Sequence, residues 1–345
     1  MRAVLAMRDT VLPIQGPPGT GKTHVAARAI LALFAAGRRV AVASTSHEAI
    51  SNLLRACLAA LPDDGTGLTV ENVALAHKLG TRDSPWPPGS PVHASSRTGD
   101  PAWQTADVVG GTAFHFCKPE FEAAFETLVV DEAGQVGLAN LLAMGRCARN
   151  IVLVGDPRQL PQVVQGAHPG AAGLSCLDWL LGGDATVPPD RGILLPVTRR
   201  MHPDLCRFVS ERVYEGRVAS HPGCARQRIG GTRWPSTGAH LALVPHAGNA
   251  QVAREEIEAI RAAIAELTAG TWTDAAGTTR CQSARNPAPR SASNFDPPFG
   301  RGAGPGPAER CGWRRRAGSR PGKVRTVQAR FLKRQLSLPV STMSQ

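Results

Sequence analysis

Long apolar runs are missing from these 345 residues: the longest, Ala29 to Ala36, falls far short of the roughly 18 residues that suggest a membrane span. The first residues, MRAVLAMRDTVLPIQG, lack the ordered basic, apolar and small-residue segments of a secretory signal, so a cytoplasmic location is expected. Eight cysteines are present, but no two form a CxxC pair and none stands beside a suitably spaced His pair, which predicts neither a zinc site nor a disulfide framework. Cys147 reads as a small core residue rather than a nucleophile. Lysine is scarce, with five in an arginine-rich chain, and no internal repeat is found.

The formal charge of +12 suggests nucleic-acid affinity until its distribution is read. Residues 270–345 hold 14 Lys and Arg against 3 Asp and Glu, which leaves the rest almost balanced at 25 against 24. In that tail Leu, Ile, Val and Phe number 9 of 76, below the roughly 20% at which a packed core becomes doubtful. The stretch is expected to be a basic tail of low order, with the composition a shifted reading frame of a GC-rich gene would give. The full length of 345 residues allows about two domains of ordinary size.

Before residue 270, short β-like runs alternate with helix-like ones, the pattern of βαβ units around a parallel sheet. VLPIQG (11–16) reads as a buried strand, and Lys22 to Ala36 as a helix with Val25, Ala29, Ile30 and Leu33 on one face. RRVAVASTS (38–46) reads as the next strand, His47 to Leu61 as a helix, and Pro62 to Pro101, rich in Pro, Gly, Ser and Asp, as a surface excursion. LVVD (128–131) and NIVLVGD (150–156) are two more strands, each ending in an acid where ligands of open α/β sheets bind.

Gly16-Pro17-Pro18-Gly19-Thr20-Gly21-Lys22-Thr23 matches GxxxxGK[ST] between a strand and a helix. Glycines let backbone N–H groups close around phosphates, the helix N-terminus adds positive potential, Lys22 reaches the outer phosphates and the Thr23 hydroxyl can ligate Mg²⁺. VVDEAGQ (129–135) places Asp131 to join the Mg²⁺ shell and Glu132 to activate water, which makes it a Walker B candidate. VLVGDPRQLPQV (152–163) offers Gln159 as a neutral donor toward a terminal phosphate.

GPPGTGKT, DEAGQ, GDPRQLPQV and RRMHPDLCRFVSERVYEGR (199–217) occur in the order seen in superfamily 1 helicases. The resemblance is to the subgroup of the nonsense-mediated-decay RNA helicases and the bacterial RecB-like nuclease–helicase fusions, through STSHEAISNLL (44–54), LVVDEAGQVGLANLLA (128–143) and QGAHPGAAGLSCLDWLL (165–181). It implies an α/β P-loop NTPase of RecA-like architecture that takes ATP and Mg²⁺ and moves 5′ to 3′ on single-stranded nucleic acid, DNA before RNA. By the same resemblance, Lys22 and Thr23 contact phosphate and Mg²⁺, Asp131 is the Mg²⁺ partner and Glu132 the catalytic base. Gln135 and Gln159 sense the γ-phosphate, and Arg200 is an arginine finger. Ser44, Thr45, Ser46, Gly111 and Thr112 fall where the family contacts the strand backbone. Ser and Thr at strand ends also cap helices. His115 and Phe116 offer base stacking, with core packing favoured for Phe116. Arg207, Arg212 and Arg217, five residues apart, read as a solvated face.

Three family features have no counterpart here: an upstream adenine-reading Gln, an aromatic at position 199, and the later motifs, of which VRTVQARFLKRQ (324–335) is a degraded echo. The expected organisation is a first RecA-like domain over 1–190, the start of a second over 191–269, and the basic tail over 270–345. The alternative is a nucleotide-binding helicase remnant with no motor activity, whose tail attracts nucleic acid without sequence preference. A protein-directed ATPase of clamp-loader or unfoldase kind is disfavoured by DEAGQ with RMHP.

Overall fold

Runs too apolar to alternate, such as VAVA at 40–43 and IVLV at 151–154, demand burial on both faces, which a parallel sheet between helix layers supplies. The computed structural model describes residues 1–61, 67–80, 83–160, 166, 168–238, 240–245 and 252–281. In it β1 (Val11–Gln15), β2 (Val40–Ala43), β3 (Leu75–Lys78), β4 (Val92–Ser95), β5 (Val108–Gly111), β6 (Phe125–Val130), β7 (Ala148–Gly155) and β8 (Ile193–Leu194) form one sheet. The order is β4-β3-β5-β2-β6-β7-β1-β8, with the pairings parallel.

Helices cover both faces. One core joins α1 (Arg2–Ala6), α2 (Lys22–Ala35) and α3 (His47–Ala60) to the sheet; the other joins α4 (Ala102–Thr105), α5 (Ala113–Phe116), α6 (Leu138–Met144) and α7 (Cys176–Leu181). The pleat divides β2 between them, Val40 and Val42 facing the first core and Ala41 and Ala43 the second. Cys147 is a buried member of the second core, where burial pushes its thiol up to about 12. On α2 the buried residues are Ala26, Ala27, Ala29, Ile30, Leu31 and Leu33, while Val25, expected among them, is only half-buried.

The stretch expected to be a surface excursion supplies two strands instead. β3 pairs with β5, and β4 with β3, so the sheet extends past β5. Leu75, Ala76 and Val92 are buried, but LAHK and VHAS are four-residue runs set among Pro, Gly and Ser, and composition hid them. Within β3, His77 is fully buried and its Nδ1 accepts a hydrogen bond from Trp86 Nε1 at 3.1 Å.

After β8 come β9 (Val197–Thr198), α8 (Pro203–Val213), β10 (Ala219–Ser220), β11 (Arg228–Gly230), α9 (Arg254–Ala269) and β12 (Thr271–Thr273). β9 and β10 pair in parallel, and β12 runs antiparallel to β11 with Trp272 opposite Ile229, so regular structure continues past residue 270. Residues 282–345, with VRTVQARFLKRQ, and residues 161–165 of the third motif and its following segment lie outside the described residues. Residues 1–280 form one compact unit. Among the described residues no helix is long and apolar enough to cross a membrane.

Candidate active site

Adjacent strands of the sheet end within two register positions of one another. The register sets Gln15 beside Gly155, Leu153 beside Val130, Val130 beside Ala43 and Ala43 beside Gly111. Gly16, Asp156, Asp131, Ser44 and Thr112 therefore leave the sheet along one carboxyl edge, the place where open α/β sheets bind ligands. Two further bonds prolong the ladder, Gly16 N donating to Gly155 O at 2.9 Å and Asp131 N to Ala43 O at 2.8 Å. β7 lies between β1 and β6, so its exit stands between the glycine-rich loop and the acidic pair.

In the loop, Lys22 folds back and its Nζ donates to Gly16 O at 2.8 Å, while Thr20 Oγ1 donates to Pro17 O at 2.7 Å. Gly19, at φ 77°, has no room for a side chain: a Cβ there would lie 2.8 Å from Thr198 Oγ1 and against the Arg200 side chain. Thr198 Oγ1 donates to Pro18 O and Arg199 N to Gly19 O, both at 2.8 Å. These contacts dock the end of β9 and the residues after it onto the loop and bring Arg200 to the loop's tip at Gly19.

Asp131 is 5% exposed, and its Oδ1 accepts from Glu132 N at 3.0 Å. Burial, reinforced by the Glu132 charge and opposed by Lys22, lifts its carboxyl to about 6. Glu132 sits in the left-handed region at φ 52°, a strained conformation of the kind stored at functional sites. The turn continues through Ala133–Gln135, with Gln135 N donating to Glu132 O at 2.8 Å. A carboxyl held more protonated in the fold than its ordinary 3.8 contributes most below that value, and the contribution is lost as pH rises to about 6. The melting temperature of Asp131→Asn should therefore gain on the wild type between about pH 4 and 6 and hold that gain above, as scanning calorimetry across this range can measure.

Asp156 is the most heavily bonded group of the site. Oδ1 accepts from Arg158 N at 3.1 Å and from Gln15 Nε2 at 3.4 Å; Oδ2 accepts from Gln159 Nε2 at 3.1 Å and from Tyr214 Oη at 2.7 Å. Gln159 is thus engaged by a carboxylate of its own loop. The sequence marked Asp156 only as an acid at a strand end, and it marked neither Gln15, Thr198 nor Tyr214, whose partners are remote.

The strand-end residues divide. Ser44 is buried and its hydroxyl donates to Asp131 O at 3.1 Å; Ser46 caps α3, accepting from Ala49 N at 3.1 Å. Thr45 is exposed, Thr112 half-buried at the start of α5, and Gly111 buried. His115, a stacking candidate by sequence, is buried among Trp103 and Phe121, with ring centroids 5.3 and 4.5 Å away, and burial lowers its imidazole to about 3. Phe116 packs in the same core, while their neighbour Phe114 is 80% exposed. Arg207, Arg212 and Arg217 are all exposed as expected, and Arg217 also bonds to the fold, Nη1 donating to Thr186 Oγ1 at 2.6 Å and Val187 O at 3.1 Å.

Residues 1–171 match the AAA domain family. The chain is 28% identical over 174 residues to the DNA replication ATP-dependent helicase/nuclease DNA2 of Saccharomyces cerevisiae, a match covering 50% of this chain and 11% of that protein. It is 27% identical over 279 residues to the ATP-dependent helicase NAM7 of the same yeast, covering 71% and 28%. An arterivirus nonstructural protein 10 (helicase), solved with DNA, matches at 16% identity and a TM-score of 0.39 over 61% of this chain and 41% of its own. The chain spans less than a third of the length of these two yeast relatives.

Proposed function

We propose that this chain, whose residues 1–171 match the AAA domain family and which is similar to ATP-dependent helicases, is the ATP-hydrolysing part of a superfamily 1 nucleic-acid helicase. The reading rests above all on the docking of Arg200 at the tip of the glycine-rich loop, on the same sheet edge as Lys22, Asp131 and Glu132. On this reading the N–H groups of Gly16 to Thr23 receive the phosphates of ATP, and Lys22 exchanges Gly16 O for a phosphate oxygen. Glu132 takes the proton of the attacking water, Gln135 and Gln159 contact and so sense the terminal phosphate, and Arg200 offsets the charge that develops there.

Thr23 and Asp131 would hold Mg²⁺. Their donors, a hydroxyl and a carboxylate, are hard oxygen ligands of the type the ion takes, and a carboxyl whose buried charge is costly is one that a cation would favour. When bound, the ion neutralises charge on the β- and γ-phosphates.

The strand would cross Thr45 and Thr112, with Ser44, Ser46 and Gly111 shaping the backbone beneath it, and single-stranded DNA is the preferred partner, moved 5′ to 3′. Residues 1–190 act as the first RecA-like domain, 191–269 as the start of a second, and 270–345 as a basic extension. The test is steady-state ATP hydrolysis by this chain alone, with and without single-stranded DNA or RNA. Turnover that rises with DNA supports the reading. Nucleotide binding without stimulated turnover would leave the helicase remnant, and RNA stimulation above DNA would reverse the preference.

A further inference from the structure

The bonds that hold Asp156 close into a circuit that the motifs do not explain. Tyr214 Oη and Gln159 Nε2 both donate to Asp156 Oδ2, at 2.7 and 3.1 Å. Past Tyr214 the chain turns through Glu215 at φ 55° and Gly216 at φ 72°. Glu215 accepts from Thr186 Oγ1, which in turn accepts from Arg217 Nη1 at 2.6 Å. Val187 N donates to Gln15 Oε1 at 2.8 Å, and Gln15 Nε2 returns to Asp156 Oδ1 at 3.4 Å and to Ala185 O at 3.1 Å. The exit of β1, the exit of β7 and the turn after α8 are thereby joined. α8 itself begins at Pro203, three residues beyond Arg200.

Two donors sharing one carboxylate oxygen are coupled, because the loss of one strengthens the charge offered to the other, and in a water-poor interior that exchange is weakly screened. We propose that Tyr214 is a positioning residue that conveys the state of Gln159 to α8. When Gln159 turns from Asp156 to the terminal phosphate of ATP, the Tyr214 hydroxyl tightens on the freed oxygen and draws α8, with Arg200 ahead of it, against the loop. This rests on the reading of the loop as an ATP site. Burial and Asp156 both raise the phenol's pKa, so the hydroxyl stays a donor over the working pH range. A purely structural role would be packing of the ring with Met201, Cys206 and Val218, and Tyr214→Phe preserves that packing.

Hydrogen–deuterium exchange of residues 203–213 decides the matter, compared between ADP and a non-hydrolysable ATP analogue. In the wild type the analogue should slow exchange more than ADP does; in Tyr214→Phe the two nucleotides should protect α8 equally, with ADP affinity unchanged. In hydrolysis the variant should lose about tenfold in kcat at unchanged KM for ATP, the size expected for one hydrogen bond to a charged acceptor. A variant that keeps the analogue–ADP difference overturns the proposal. So does a wild type that binds both nucleotides and shows no difference, which leaves the ATP site standing. Failure of the wild type to bind either nucleotide overturns the ATP reading and this proposal together.

Discussion

Lys22→Ala should reduce ATP hydrolysis by about a hundred- to a thousandfold, the loss typical of removing one preorganised charge-stabilising group from a reacting centre. Nucleotide affinity should fall with it. The ammonium's partner in the structure is Gly16 O at 2.8 Å, inside the loop it serves. Truncation removes that single bond and creates no cavity in either apolar core, since Lys22 belongs to neither. Its effect on folding should be about 1 kcal/mol, the cost of one hydrogen bond. Calorimetric titration with ATP, paired with thermal melting, separates the two effects. A variant that melts like the wild type and still hydrolyses ATP at the wild-type rate would remove the loop from the chemistry.

Gly134→Ala should destabilise the fold by about 1–3 kcal/mol, the range for forcing extra volume into a packed interior, although Ala is the smallest replacement available. An added Cβ would stand 2.6 Å from Asp156 O and 3.2 Å from Pro157 N, and both are backbone atoms that cannot swing aside as a side chain would. The turn of DEAGQ and the exit of β7 would have to separate. Because Gln159 hangs from Asp156, hydrolysis should suffer beyond what the lost stability explains. Gly99→Ala is the control: a Cβ there meets nothing within 4 Å, and melting should be unchanged. Equal melting temperatures for the two variants would show that the contact at Gly134 carries no constraint.

The parts of the site that sequence made visible are those written in contiguous residues. The glycine-rich loop is a local object whose neighbours, a strand and a helix, are adjacent in the chain, and β1, β2, β6 and β7 stand within three residues of where their apolar runs placed them. What escaped was of two kinds. β3 and β4 are each four residues long, and the polar turns around them outweighed three buried apolar side chains. Thr198 and Tyr214 act on partners 180 and 58 residues away, and nothing local distinguishes a hydroxyl that will meet a remote backbone or carboxylate from one that will face water. Ser46 is an intermediate case: the sequence left nucleic-acid contact and helix capping both open, and its side chain caps α3.

The position of β1 in the sheet also bears on how the chain reaches its native state. β2 finds its neighbours β5 and β6 within the first 130 residues, but β1 lies between β7 and β8, which appear only at residues 148 and 193. On a growing chain β1 precedes both of its flanks and must wait for them, its edges bare while the rest of the sheet assembles. Such non-local parallel pairing is slow to form. The glycine-rich loop, though encoded ahead of both flanks of β1, is thus expected to be among the last parts of the fold to become rigid.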